Sequence, residues 1–254
     1  MNLPSTRDNQ RRVFLSETNF ADSRLSPLQQ DASFRRYFCI DDGEHGCLLM
    51  DAPPETENLT AWLEIGNHLN QLGLRAPAVL RSDTDTGFAL IEDFGSRTFT
   101  RLLDAGESHE VLYTQAIDLL IHLHQHPNAL LEGLKPYDFQ ALMAEALLLP
   151  DWFLPLLSGQ PTASQQRESY QQIWGAVFDS LPTPAISLVL RDFHVDNLMQ
   201  LPANEPLRQI GLLDFQDALI GPMAYDLMSL LEDARRDLPS PLVNAMRERY
   251  LQAM

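Results

Sequence analysis

The chain has 254 residues, 44% of them hydrophobic and 21% charged, the balance of a folded protein long enough for two lobes without staples. A formal net charge of −17 argues against nucleic acid or an anionic membrane surface as the main partner, since both require a basic face. It leaves open a phosphate-bearing small molecule, because local arginines or a divalent cation reverse the field inside a pocket.

The opening MNLPSTRDNQRR has no apolar core of signal-peptide length. No run approaches the roughly 18 apolar residues of a membrane span, and ALMAEALLLPDWFLPLL is broken by Glu145, Asp151 and two prolines. Two cysteines, Cys39 and Cys47, make no disulfide scaffold, so a reduced, cytoplasmic protein is expected, with the pair able to face each other across a hairpin. That hairpin is predicted from FRRYFCI (34–40), a turn at Asp42-Gly43, and the return CLLMDA (47–52). LTAWLEIGNHLNQLG places apolar residues on one helical stripe and closes at Gly73. AVLRS and GFALIEDFG form a second hairpin around Asp83, Asp85 and Gly87. Residues 33–93 thus read as β-β-α-β-β.

From about residue 96 the pattern turns helical. Residues 108–126 have helical spacing, with Ser108 as N-cap and Pro127 as the stop. YDFQALMAEALLL, residues 163–181, YDLMSLLEDARRDL and the terminal PLVNAMRERYLQAM are further helical segments, interrupted by a strand pair at 188–190 and 210–213. The expected architecture is α+β: a small mixed-sheet lobe (1–95), then a larger, mainly helical lobe (96–254) holding one short hairpin. Trp62, Trp152 and Trp174 sit among apolar helical residues and read as core. His122, His124 and His126 lack the glutamate or cysteines of a zinc pattern and read as ordinary helix residues.

Two stretches carry chemistry. In LVLRDFHVDNLMQ a strand breaks at Arg191-Asp192 and offers Asn197 after a tight loop, and IGLLDFQDA ends a second apolar run on Asp214. Asp and Asn favour turns for local reasons alone, but a carboxylate, a carboxamide and a second carboxylate at two strand ends suit phosphoryl transfer. Asp192 would accept a hydrogen bond from an attacking hydroxyl, while Asn197 and Asp214 are hard oxygen ligands of the kind Mg²⁺ takes. The spacing matches the catalytic and metal loops of protein kinases.

LRDFHVDNLM together with IGLLDFQDALIGPMAYDLMSLLEDA resembles the aminoglycoside phosphotransferase and choline kinase superfamily, relatives of protein kinases. DASFRRYF, MDAPPE and ALIEDFG are similar to one branch of it, the kinases that phosphorylate N-acetylmuramate and N-acetylglucosamine at the anomeric hydroxyl in cell-wall recycling. The resemblance runs from about residue 30 to the end. It implies a bilobal protein-kinase-like fold, ATP and Mg²⁺ as cofactors, and a small-molecule acceptor, most simply an N-acetylated amino sugar. Enzymatic rivals are an aminoglycoside, choline-like or homoserine-like acceptor; a nucleotide-binding scaffold without turnover is the rival of another class. Position by position, the resemblance makes Asp192 the catalytic aspartate and Asn197 and Asp214 the metal ligands. It puts Glu92, Asp93 and Phe94 in the linker that holds the adenine through backbone groups. Ser33 and an arginine, Arg36 being the choice made here over Arg35, would meet phosphate oxygens. Arg191, His194, Asp217 and Asp226 would support the loops, Asp226 from a neighbouring helix.

Three departures stand out. Leu190 occupies the position where such loops carry histidine, the phosphate loop lacks G-x-G-x-x-G, and the returning strand CLLMDAP has no lysine. Arg35 or Arg36 would replace that lysine, although neighbours in a strand point to opposite faces. Glu64, partner of the missing lysine, is left without a defined role. Gln216 and Asp217 are expected to order the loop after Asp214, and Glu145 and Asp233 to sit on a solvated helix face or beside an arginine. Family members continue past the position of Met254 with further helices, so the resemblance implies that part of the helical lobe is either absent here or supplied otherwise.

Overall fold

The apolar alternation of residues 36–52 and 79–92 is realised as strands. The computed structural model describes residues 6–28, 34–41 and 46–254; Ser33, Asp42 and Gly43 fall outside these. Strands β1 (Arg24–Pro27), β2 (Arg36–Asp41), β3 (Cys47–Asp51), β4 (Val79–Asp83) and β5 (Phe88–Glu92) form one sheet in the order β1-β2-β3-β5-β4. Every pairing in it is antiparallel, where a mixed sheet was expected. Gly87, at φ 73°, closes the β4–β5 turn against the Ala52 carbonyl, which a Cβ at Gly87 would approach to 2.0 Å.

Each sheet face has its own cover. Helix α2 (Leu59–Gln71), capped by the Asn58 side chain on the Ala61 amide at 3.1 Å, buries Trp62, Ile65 and Leu69 on the face that carries Met50. Helix α1 (Thr6–Ser16) covers the other face, packing Phe14 and Leu15 against Cys47, Leu49 and Phe88. Asp51, with 1% of its side chain exposed, is clamped there by Arg7 at 2.6 Å and Arg11 at 3.1 Å. The two guanidinium groups also lie 4.0 Å over the rings of Phe88 and Phe38. Neither α1 nor β1 was expected. Helix α1 is mostly polar with one short apolar cluster, and β1 is a four-residue edge strand ending in proline. The cysteines do not face each other: Cys47 pairs with Ile40 and Cys39 with Leu48, so the period of two sends the thiols to opposite faces, and no disulfide joins them.

The helical part follows Glu92. Helix α3 (Phe99–Asp104), which was not expected, begins on a Thr98 cap, and α4 (His109–Gln125) on the expected Ser108. Next come α5 (Phe139–Ala146), a π-helical turn (Leu149–Phe153), α6 (Leu154–Ser158) and α7 (Ser164–Ser180). The two apolar strands at 186–189 and 210–212 do not pair with each other as expected. β6 (Ile186–Val189) pairs with β9 (Leu219–Pro222), and β7 (Leu198–Gln200) pairs with β8 (Ile210–Leu212), giving two small antiparallel ribbons. Neither polar loop joins paired strands: the loop after β6 leads to β7 and the loop after β8 leads to β9, so each crosses from one ribbon to the other. Helices α8 (Ala224–Leu231) and α9 (Ser240–Ala253) complete the chain, α9 packing on α4.

Trp62 is core as expected, but Trp152 is 73% exposed, one of several apolar side chains that α5 to α7 present to solvent. By length and mean hydropathy (1.4) the run Phe139–Ser158 would suffice to cross a membrane. Here it is broken by the π turn and tied to the protein through Met143 and Glu145. His122 and His124 of α4 and His126 at its C-cap have ordinary partners: His122 meets the Leu72 carbonyl at 2.8 Å, His124 the Tyr250 hydroxyl at 2.7 Å, and His126 accepts the Asn128 amide. No group of three His, Cys, Asp or Glu side chains suited to a metal occurs among the described residues.

Replacing Asp51 by alanine would strand two largely buried guanidinium groups. Asp51→Ala is expected to lower the unfolding free energy by about 3 kcal/mol, read by urea denaturation.

Candidate active site

Between the sheet and the helical part lies a cavity of about 220 Å³. Leu48 and Ile91 line it from the sheet, Met199 from β7 and Phe215 from the loop after β8. One end is the connection 92–95. Its Glu92 and Asp93 amides are already spent on the carbonyls of Ala78 and Gly46, at 2.8 and 2.9 Å. The Phe94 amide has no partner among the described residues. Glu92 is tied by its carboxylate to Arg75, and the Asp93 side chain accepts the Gly95 amide at 2.7 Å. The Phe94 ring lies so close to Gly211 that a Cβ there would come within 2.6 Å of it, which anchors the connection to β8.

The other end is built by the two polar loops. After β6 the chain folds so that the Leu190 and Arg191 amides both donate to Asp226, at 2.7 and 3.0 Å. Asp226 is fully buried at the start of α8. Arg191 takes φ 67°, a conformation an L side chain adopts only when its surroundings impose it. Its guanidinium reaches Glu145 at 2.7 Å, and the same carboxylate accepts the hydroxyl of Tyr137. Glu145 therefore has an arginine partner, and so does Asp233, bonded to Arg235 at 2.8 Å.

Asp192 is held through its backbone. Its carbonyl accepts the His194 amide at 3.1 Å and the Asn197 carboxamide at 2.9 Å. That commits the Asn197 NH₂ and turns its oxygen the other way, in a residue that lines the cavity. The Asn197 NH₂ also lies 3.3 Å from Nε2 of His194. Burial, chiefly, then Arg235, holds His194 below its ordinary range, so the neutral ring with an accepting nitrogen fits this contact. The Asn197 carbonyl then accepts the Leu213 amide at 3.0 Å, which sets the position of Asp214 beside it. Asp214 too has positive φ, 58°.

Phe215, the next residue, stacks on Trp62 of α2 with ring centroids 5.3 Å apart, over Gly66, where a Cβ would meet it at 3.0 Å. Burial above all, and then the neighbouring carboxylate of Asp214, push the Asp192 carboxyl above its usual range against the pull of Arg191. An acid so placed is a better proton acceptor than an ordinary aspartate.

The two candidate arginines separate cleanly. Arg36 opens β2 opposite Asp51, on the sheet face turned to α1, and is exposed; it does not line the cavity. Arg35 does, and bonds Asp214 Oδ1 and Gln216 Oε1, each at 2.5 Å. The expected contribution of Arg36 is therefore corrected to Arg35. Strand parity decides it, and only the register of β2 against β3 reveals which parity faces the cleft. Glu57, just before α2, sits 3.4 Å from Arg35 and accepts the Phe34 amide, so it takes the pairing that Glu64 lacks. Sequence reasoning passed over Glu57 because nothing in TEN before the helix distinguishes it from a capping segment. Ser33 falls outside the described residues.

Beyond the Arg35–Gln216 bridge opens a second cavity, of about 730 Å³, walled by the start of α2, the segment 131–135 with Lys135, and Arg191 and Asp217. Gln216 donates to Asp214 at 3.1 Å and to Asp217 at 3.0 Å, ordering this loop as expected. The Asn197 oxygen and the Asp214 carboxylate, with a cation already drawn to the latter, are a donor set that fits Mg²⁺.

The APH model, describing the phosphotransferase enzyme family, matches residues 24–254. The chain is 39% identical over 223 residues to an N-acetylmuramate/N-acetylglucosamine kinase of Neisseria meningitidis serogroup B, covering 84% of this chain and 62% of that one. It is 31% identical over 287 residues to the N-acetylmuramate/N-acetylglucosamine kinase of Caulobacter vibrioides, covering all of this chain and 79% of that one. It thus spans less than two thirds of the Neisseria protein. Among solved structures, the ADP-bound aminoglycoside phosphotransferase APH(2'')-Ib superposes with a TM-score of 0.66 over 98% of this chain and 82% of that one, at 18% identity. That likeness bears out the bilobal kinase-like fold.

Burial, opposed by its two amide donors, pushes Asp226 up to about 7. The native state therefore keeps a proton that the unfolded chain releases near pH 4, and the stability this contributes is present below pH 4 and lost as pH rises through 7. In Asp226→Asn that pH-dependent part should vanish, so the stability of the unmodified chain relative to the variant should fall from pH 4 to 7, measured by urea denaturation at each pH.

Proposed function

The chain belongs to the phosphotransferase enzyme family, and from that premise we propose that it transfers the terminal phosphate of ATP to a hydroxyl of a small molecule. The observation that carries the reading is the cavity with the Phe94 amide, unpaired among the described residues, at one end and Asn197 and Asp214 at the other, with Asp192 clamped to Asn197. The adenine edge would accept from the Phe94 amide, its faces held by Leu48, Ile91 and Met199. The phosphates would run toward Asp214. Mg²⁺, held there by Asn197 and Asp214, would neutralise phosphate charge. The boundary between the lobes is taken at residue 95.

In the reaction the acceptor hydroxyl donates to Asp192. Its oxygen forms a bond to the γ-phosphorus as the bond to the β–γ bridging oxygen breaks, and the hydroxyl proton passes to the Asp192 carboxylate. Little covalent help is needed, so alignment dominates, and alignment is what the Asp226 and Asn197 clamps supply. His194 and Arg191 would act through the loop they order, Asp217 from the wall of the second cavity. That cavity is the place for the acceptor: it adjoins Arg191 and Asp217, and it is large enough for a monosaccharide. The names of the relatives at 31–39% identity support an N-acetylated amino sugar phosphorylated at its anomeric hydroxyl.

Labelled ATP offered with N-acetylmuramate, N-acetylglucosamine, aminoglycosides and small amino alcohols tests this directly. Label on the amino sugars, released by mild acid as an anomeric phosphate is, supports the reading; no label on any acceptor overturns it. Asp192→Asn should lower kcat by about 10²- to 10⁴-fold with ATP affinity nearly unchanged. Because the Asp192 carboxyl is raised, the acid limb of kcat/KM should lie above the ordinary carboxylate range. Activity should be lost as pH falls through that limb.

A further inference from the structure

The strand that would carry a cation into the cleft has none. On its cleft side β3 offers Leu48, which lines the nucleotide-sized cavity, and Met50, buried beneath α2. The only lysine of the chain, Lys135, belongs to the second cavity. The cation beside Asp214 is Arg35, delivered from the segment just before β2, and it lines both cavities.

Among the described residues its guanidinium meets acceptors from two parts of the fold: Asp214 Oδ1 and Gln216 Oε1 at 2.5 Å, and Glu57 at 3.4 Å. Asp214 and Gln216 belong to the loop after β8, Glu57 to the approach to α2. Arg35 is 6% exposed, so these contacts form in a weakly screened place where charge pairing is strong. The same Asp214 oxygen that holds Arg35 belongs to the carboxylate that fits a metal. A nucleoside triphosphate entering with its phosphates toward Asp214 brings several negative charges to the edge of this guanidinium. Phosphate oxygens match its fork as well as a carboxylate does, and carry more charge.

We propose that Arg35 is a two-position cation. Without nucleotide it neutralises Asp214 and bridges the lobes through Asp214 and Gln216, with Glu57 steadying it from its own side; with nucleotide it turns to the β- and γ-phosphates and releases Asp214. It thereby does from the phosphate-covering segment what a strand lysine would do from β3. This rests on the phosphotransferase reading of the site.

Isothermal titration in EDTA with ATP, ADP and AMP separates the two positions. Arg35→Met should weaken ATP and ADP by on the order of tenfold or more while AMP stays within about twofold, and Arg35→Lys should recover part of the loss. Glu57→Gln, which keeps an acceptor for the Phe34 amide but removes a competing charge, should bind metal-free ATP more tightly. Equal ATP affinity in the parent chain and Arg35→Met, or an AMP loss as large as the ATP loss, would overturn the proposal. Should Arg35→Met fail to fold, Glu57→Gln decides alone, and ATP binding that is unchanged or weaker goes against it. A parent chain that binds no nucleotide at all would instead remove the phosphotransferase reading and this inference with it.

Discussion

The carboxylate of Asp226, sealed from solvent, accepts the amides of Leu190 and Arg191, and the geometry of the cleft follows from that pair of bonds. A buried carboxylate with no donors would be costly. With two it becomes a rigid post, and the chain leaving β6 has to wrap around it. The wrap imposes positive φ on Arg191, at a cost on the order of 1–2 kcal/mol, and lifts Asp192 out of the strand direction. Asn197 then clasps the Asp192 carbonyl and passes its own carbonyl to Leu213, so the position of Asp214 is set from Asp226 through four hydrogen bonds, the first two side by side on the Asp226 carboxylate. A loop that would otherwise be mobile is thereby preorganised for a reaction in which alignment is the main requirement.

A second line of control comes from the sheet side. Trp62 and Gly66 of α2 hold the ring of Phe215, while Arg35, itself paired with Glu57, bonds Asp214 and Gln216 on either side of it. The loop after β8 is thus read by both lobes at once, by packing through Phe215 and by charge through Asp214. Any movement of α2 relative to the helical part acts on both contacts together, which couples lobe closure to the placement of the carboxylate.

The charge distribution reconciles a chain of net −17 with a phosphate-bearing ligand. The acidic excess is spread over the surface, whereas arginines are placed singly where carboxylates are half-buried: Arg35 on Asp214, Arg191 on Glu145, Arg75 on Glu92. The field inside the cleft is set by these neighbours, not by the total.

Much was readable from the amino acids alone. Period-two alternation located β2, β3 and β5, helical spacing and Ser108 located α4, and the Asp-x₄-Asn and Leu-Asp-Phe strings located both polar loops, because each of these signals is local. Pairing is not local. That β6 joins β9, that Arg35 and not Arg36 enters the cleft, and that Glu57 meets it were decided by register and by contacts across 20 to 180 residues. Helix α1 was illegible for the same reason: its few apolar residues acquire meaning only against Phe88 and Leu49, and its arginines only against Asp51. The sequence determined which chemical groups the protein owns and the local bends that carry them; the tertiary fold alone decided which groups meet, since charge pairing and strand parity act between residues that are neighbours only in space.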